Sequence, residues 1–284
     1  MPDPHQRQML THQAMATVFR LSVVHPEPLY ARQAAAEAFA ELERIEGRLS
    51  RFVETSDVFR VNRLARGQST WVHPDTLRCL AIALEIQRAT GGAFDVAYAS
   101  TATSPERRRW ELDEKDHAVR VLADGVRLDL GGIGKGFALD RMAALLADWE
   151  IDAALLSAST STVLALGPPP GETGWPVCVG PDDAPHDLRL ARRALSGSGT
   201  AVKGSHVRDP RSGRPATGRF RAWAVAPTAA VADALSTAFL VMTEQEVRDF
   251  CRTRKEISAY LLPSPAAAML AVAGGKGDER VPRP

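Results

Sequence analysis

The sequence predicts an α+β fold of largely antiparallel sheets with packed helices. Two observations lead there. The first third carries helical periodicity, and from Ala118 onward the texture changes to short strands separated by turn residues. Hairpins are more evident than the regular strand-helix-strand units of a doubly wound sheet.

Along the chain, Thr17 to Val24 alternate as a strand, and Ala35, Ala38, Phe39, Leu42, Ile45 and Leu49 then recur at helical spacing. A strand feeding a long amphipathic helix is expected. Ser56 is suited to cap a short helix through Asn62, and Asp75 to cap another that runs through Leu77, Leu80, Ala81 and Leu84 to Gly91-Gly92. Val119 and Val121, then Asp124-Gly125, then Val126, Leu128 and Leu130 read as a hairpin. A helix follows from Phe137 to Trp149, with further strands expected at 153–166, 176–180, 188–196, 220–226, 256–262 and 268–273. Residues 1–14 are polar and aperiodic and 274–284 are Gly, Pro and charge, so mobile tails are expected around a single domain over 15–273.

Composition removes several function classes. The 284 residues, 45% hydrophobic, can fill a sizeable core. A net charge of +1 gives no general pull toward nucleic acid or an anionic membrane, so an anionic ligand needs a local site. Cys79, Cys178 and Cys251 are odd in number, far apart and without CxxC spacing, which reads as reduced core thiols. No apolar segment follows a basic start, and the most apolar stretch, Ala222 to Thr243, contains Pro227 and Asp233. A cytoplasmic protein with no membrane partner, monomeric or homodimeric, is expected.

Four runs carry chemistry. Asp129-Leu-Gly-Gly-Ile-Gly-Lys-Gly136 stands between a predicted strand and a helix. Its glycines let backbone amides approach an anion, the helix N-terminus adds partial positive charge, and Lys135 a full one. The spacing matches neither a P-loop nor GxGxxG, and a glycine turn that merely packs helix against strand is the alternative. Ala232-Asp-Ala-Leu-Ser-Thr237 puts Asp233 and Thr237 on one helical face as hard oxygen donors suited to magnesium. Asp233 is the only charge between Ala222 and Thr243, so the alternative, a capping or salt-bridged carboxylate, requires a buried partner.

Ser205-His-Val-Arg-Asp-Pro-Arg-Ser-Gly213 is a turn in which His206 is an acid, a base, a ligand or a structural histidine. Gly91-Gly-Ala-Phe-Asp95 either receives a ring or caps a helix with Phe94 as core.

With Met15-Ala-Thr17 and Ser50-Arg-Phe52, Ser56 and Asn62 preceding these runs in order, the sequence over 15–262 resembles the FAD:protein FMN transferase (ApbE) family. The resemblance implies an ApbE/T-fold-like architecture and transfer of FMN from FAD to a Ser or Thr hydroxyl of an acceptor protein, with release of AMP. Some members instead hydrolyse FAD, and an FAD-binding protein without acceptor or an inactive interaction module are the other readings. By the same resemblance Met15, Phe52, Ala93, Phe94, Asp95, Asp129, Lys135 and Val207 line the FAD site. Asp233, Thr237 and the Gly132 carbonyl hold Mg2+, and His206 accepts the acceptor's proton beside Lys135 and Asp233. Two departures stand out: Ser157-Ala-Ser-Thr-Ser161 replaces a Gly-Gly-Asp or Gly-Gly-Asn segment, and the stretch between Leu195 and His206 is short.

Overall fold

The structure, a computed structural model, describes residues 7–100, 109–181, 185–199, 208–216 and 219–272. Its centre is an eight-stranded antiparallel sheet. The strands are β1 (Arg7–Ala14), β2 (Thr17–Val24), β6 (Ala153–Ala158), β7 (Thr162–Ala165), β10 (Arg193–Gly199), β11 (Arg221–Ala226), β12 (Ser258–Leu262) and β13 (Leu270–Val272), in that spatial order. A small sheet of β3 (Ser69–Trp71), β5 (Ala118–Val121) and β4 (Trp110–Asp113) and a hairpin of β8 (Trp175–Val179) and β9 (His186–Leu190) complete the strands among the described residues.

Helices α1 (Pro28–Leu49), α4 (Gly134–Asp148) and α5 (Ala229–Val241) lie side by side over one face of the large sheet. The short α2 (Asp57–Val61) and α3 (Pro74–Ala89) pack on α1, and α6 (Glu244–Thr253) lies against β12 and β13.

Strand alternation sorts side chains into two cores. In β11, Ala222, Ala224 and Ala226 face the helices, while Trp223 and Val225 face the β8–β9 hairpin with Trp175, Leu188 and Leu190. The alanine face lets α5 lie close to the sheet, and the hairpin seals the opposite face. Among the described residues no helix is long and apolar enough to cross a membrane.

Several expectations need correction. Residues 7–14 are not a tail but strand β1, paired along its whole length with β2. As an edge strand it buries little, which is why its polar alternation hides it. Met15 and Ala16, with φ of 50° and 57°, close the β1–β2 hairpin in the left-handed region without glycine. The cap of α3 is His73 rather than Asp75, which Arg48 and Arg141 engage instead. No hairpin turns at Asp124-Gly125: β5 pairs with β3 and β4, and the chain then runs on singly to the glycine run. Helix α4 begins at Gly134, inside that run, and the strand expected at 188–196 is two strands, β9 and β10. Cys79 and Cys251 are buried, whereas Cys178 is exposed on β8.

Candidate active site

The run enters along a segment held by a side chain in place of a strand. Asn62 Nδ2 donates to the Leu128 carbonyl at 2.9 Å, and Leu128 N–H donates to Asn62 Oδ1 at 2.6 Å. One amide thus supplies both bonds of a ladder step. Asn62→Ala leaves a buried donor and acceptor unmatched, and an expected loss of about 1–3 kcal/mol is measurable by denaturant unfolding.

Beyond this clamp, Asp129 Oδ1 accepts the Gly131 N–H at 2.9 Å, while Oδ2 lies 3.5 Å from Arg51 Nε. Tyr98 also bonds to this carboxylate, and partial burial with the Asp129 charge raises its phenol above the usual range. The Arg51 guanidinium sits 4.4 Å over the Phe52 ring, which is 75% exposed. Phe52 and Asp129 therefore share one rim through Arg51.

At Gly132 the chain threads between two side chains. A Cβ built there would lie 3.2 Å from the Phe94 ring and 3.3 Å from Thr237 Oγ1. Phe94 thus packs beneath the run and Thr237 stands beside it. Ile133 then starts α4 with no side-chain cap, and the Gly136 N–H goes to another helix, donating to Asp233 Oδ2 at 3.1 Å. Lys135 Nζ donates to the Gly131 carbonyl at 3.0 Å and lies 3.6 Å from the same Asp233 oxygen.

Asp233 is 3% exposed. Its Oδ1 accepts from Ser196 Oγ at 3.3 Å and Thr162 Oγ1 at 3.5 Å, and those two hydroxyls are 2.9 Å apart. The partners come from α4, β10 and β7, so the lone charge of α5 is matched rather than stranded. One turn on, Thr237 Oγ1 donates to the Asp233 carbonyl at 3.3 Å and meets Ser198 Oγ at 3.3 Å. A carboxylate, hydroxyls and glycine backbone are thereby gathered at the start of α4.

The other expected residues sit around this centre in different ways. Ala93 and Phe94 are buried; the Asp95 carboxylate accepts from Ala97 N–H at 2.8 Å and is ion-paired with Arg109. That carboxylate is engaged in holding its own turn. Met15 lies in the β1–β2 turn, its N–H donating to Glu46 of α1 at 2.8 Å, one helical turn before the Ser50-Arg-Phe52 segment. The turn after Arg208 folds as the Pro and Gly spacing predicts, with Gly213 N–H donating to the Asp209 carbonyl at 2.7 Å. Its Arg211 chelates Asp209 and lies against Gly92, where a built Cβ would be 3.6 Å from Arg211 Cγ. His206 and Val207 lie outside the described residues.

Ser159 replaces the expected glycine segment with φ of 53°, so the β6–β7 turn adopts a glycine-type conformation on a serine. Ser161 still delivers its carbonyl to Gly197 N–H at 2.7 Å and Ser196 Oγ at 3.2 Å, and through Ser196 supports Asp233. Sequence reasoning missed Arg51, Tyr98, Ser196, Ser198 and Asp140. For Asp140 alone there was a signal, a carboxylate four residues after Gly136 and directly after the apolar Phe137-Ala-Leu139.

Comparison with known proteins gives concordant results. The sequence profile of the ApbE family matches residues 15–261. Among curated proteins, the FAD:protein FMN transferase of Salmonella typhimurium is 24% identical over 304 aligned positions, covering 90% of this chain and 84% of its own. That of Rhodobacter capsulatus is 27% identical, covering 75% of this chain and 49% of its own. Among solved structures, the flavin transferase ApbE of Vibrio cholerae superposes with a TM-score of 0.84 at 19% identity, over 96% of this chain and 99% of its own. The ApbE protein of Thermotoga maritima gives 0.78 at 25% identity, over 94% and 97%.

Proposed function

The chain belongs to the ApbE family, and from that premise we propose that it transfers FMN from FAD to a Ser or Thr hydroxyl of an acceptor protein and releases AMP. The observation that carries this reading is the meeting of Asp233 and Thr237 of α5 with Gly132, Lys135 and Gly136 of the glycine run. It joins a carboxylate-hydroxyl pair to a helix N-terminus, the combination that a pyrophosphate with a bound cation requires.

The donor set fits magnesium. Asp233 supplies the one carboxylate, Thr237 a hydroxyl one turn on and Gly132 a carbonyl, all hard oxygens that leave positions for phosphate and water. Among the described residues no three His, Cys, Asp or Glu side chains converge, so the reading rests on one acid with neutral oxygens. Bound there, the ion supplies charge neutralisation on the pyrophosphate.

The protein's own groups do the rest. Lys135 orients the phosphates at the start of α4, where the Gly131, Gly134 and Gly136 amides are themselves held by Asp129, Leu130 and Asp233, and the exposed Phe52 ring with Arg51 offers a stacking edge to the flavin. Phe94 fixes the floor under Gly132. The acceptor hydroxyl oxygen attacks the flavin-side phosphorus, the phosphoanhydride bond breaks, AMP leaves with the bridging oxygen, and His206 takes the hydroxyl proton.

The test is incubation of purified protein with FAD and magnesium, with and without an acceptor protein. The expected result is AMP release that requires the acceptor, together with addition of the FMN mass to it. AMP release at the same rate without acceptor would assign the site to FAD hydrolysis, and absence of FAD binding would remove both reactions.

A further inference from the structure

Helix α5 carries the two side chains proposed for the cation, and its position is set from α4. The first four N–H groups of a helix need acceptors from outside the helix interior. Val231 N–H donates to the hydroxyl of Thr228, the helix's own cap, at 3.4 Å, while Ala232 N–H makes the first intrahelical bond, to the Thr228 carbonyl at 3.1 Å. Ala229 N–H and Ala230 N–H, which have no acceptor within the helix, donate to Oδ1 and Oδ2 of Asp140 at 2.7 and 2.8 Å. Asp140 belongs to α4. One carboxylate thus caps a neighbouring helix with a pair of charge-assisted bonds, and its charge sits at the positive end of that helix.

The same two helices meet at the glycine run. Gly136 N–H and Lys135 Nζ both address Asp233, and Gly136 lies directly against the Ala229 carbonyl. Gly136 and Asp140 are four residues apart and share a face of α4. The crossing is therefore fastened at two levels, one at Asp233 and one at the first turn of α5. Holding an acid there is costly: burial pushes the Asp140 carboxyl up to about 6, against the two amide bonds, with the Asp233 charge adding to the rise. A hydroxyl would cap a helix without that cost, and Thr228 already does so at this one.

We propose that Asp140 is a positioning residue that grips the first two N–H groups of α5 and so sets the helix's rotation and axial position on α4. Asp233 and Thr237 are thereby aimed at the Gly132 carbonyl. This rests on the reading of Asp233 and Thr237 as cation ligands.

Three variants of the full chain decide it: Asp140→Asn, Asp140→Glu and Thr228→Ala. Asn turns one of the two acceptors into an NH2 donor. Glu keeps the charge and both oxygens but adds a methylene to a packed crossing. Ala at 228 weakens the same helix end without touching the link to α4. The readouts are the melting midpoint and the magnesium concentration that half-saturates FAD binding, followed by quenching of flavin fluorescence.

Both Asp140 variants are expected to raise that magnesium concentration by about tenfold or more. Thr228→Ala is expected to lower the melting midpoint while leaving the magnesium requirement within about twofold of wild type. Wild-type behaviour of Asp140→Glu would overturn positioning in favour of a charge effect. An equal magnesium shift in Thr228→Ala would overturn it in favour of general helix stability. If Asp140→Asn does not fold, Asp140→Glu against Thr228→Ala carries the same decision. Wild-type FAD binding that ignores magnesium would remove the cation reading itself and this inference with it, an outcome distinct from failure of the variants.

Discussion

Asp233→Asn is expected to lower AMP release from FAD by about a hundredfold or more while the protein remains folded. The reasoning begins with what the side chain holds. Oδ2 receives the Gly136 N–H and faces Lys135, and Oδ1 receives the Ser196 and Thr162 hydroxyls. Asn preserves the volume and one oxygen, so the hydroxyls can reorient and the structural cost stays near 1–3 kcal/mol by the usual scale for an altered buried bond. What it removes is the negative charge that a hard cation at the proposed site would require. Asp233→Ala is the poorer experiment, because it leaves Gly136 N–H, Lys135 and two hydroxyls without their shared acceptor, and a loss of activity would then report a disturbed fold as well. Turnover within a few-fold of wild type at saturating magnesium would overturn the metal assignment.

Gly136→Ala is expected to lower stability by about 3 kcal/mol or more, and Gly134→Ala, two residues earlier, to leave it unchanged or raise it by about 0.5–1 kcal/mol. A Cβ at 136 would meet the Ala229 carbonyl oxygen at 2.1 Å and the Ala230 nitrogen at 2.8 Å. Both are backbone atoms of the first turn of α5, and neither can turn away as a side chain can. At 134 the added Cβ meets only Leu130 Cβ at 3.7 Å, an ordinary contact, and the helix loses the entropic penalty of glycine. At roughly 2–4 °C per kcal/mol for a domain near this size, the expected fall at 136 is at least about 6–12 °C. A melting midpoint for Gly136→Ala within about 2 °C of wild type, or equal effects at the two positions, would contradict this account of the crossing.

Much of this was legible in the sequence because local rules governed it. The 3.6-residue spacing from Ala35 to Leu49 marks α1, and Thr228 after Pro227 marks the start of α5. The pairing of Asp233 with Thr237 follows from helix geometry alone. The need of Asp233 for a buried partner follows from the cost of a lone charge, and Lys135 and Gly136 supply it. The misses have a common cause, contact between segments distant in sequence. Val126 to Leu130 alternates as a strand does, yet its partners are the side chain of Asn62, the Ser100 hydroxyl and the Val96 carbonyl rather than another strand. Arg7 to Ala14 has the polar pattern of a tail but is held by β2 at the sheet edge. The Asp140 cap depends on two helices crossing, which periodicity within either cannot reveal.

The crossing of α4 and α5 also bears on the order in which the chain acquires its shape. Asp140 reaches across 89 and 90 residues to its amides, and Gly136 across 97 to Asp233, so these bonds close long loops. During synthesis the glycine run emerges well before the helix that completes it, and α4 must wait with part of its apolar face uncovered until α5 arrives. Slow, late closure is the kinetic price of such separation. A nucleotide bound at the proposed site would need this closed crossing, so its affinity would report on completion of the fold, and its presence during refolding would draw the last docking step forward.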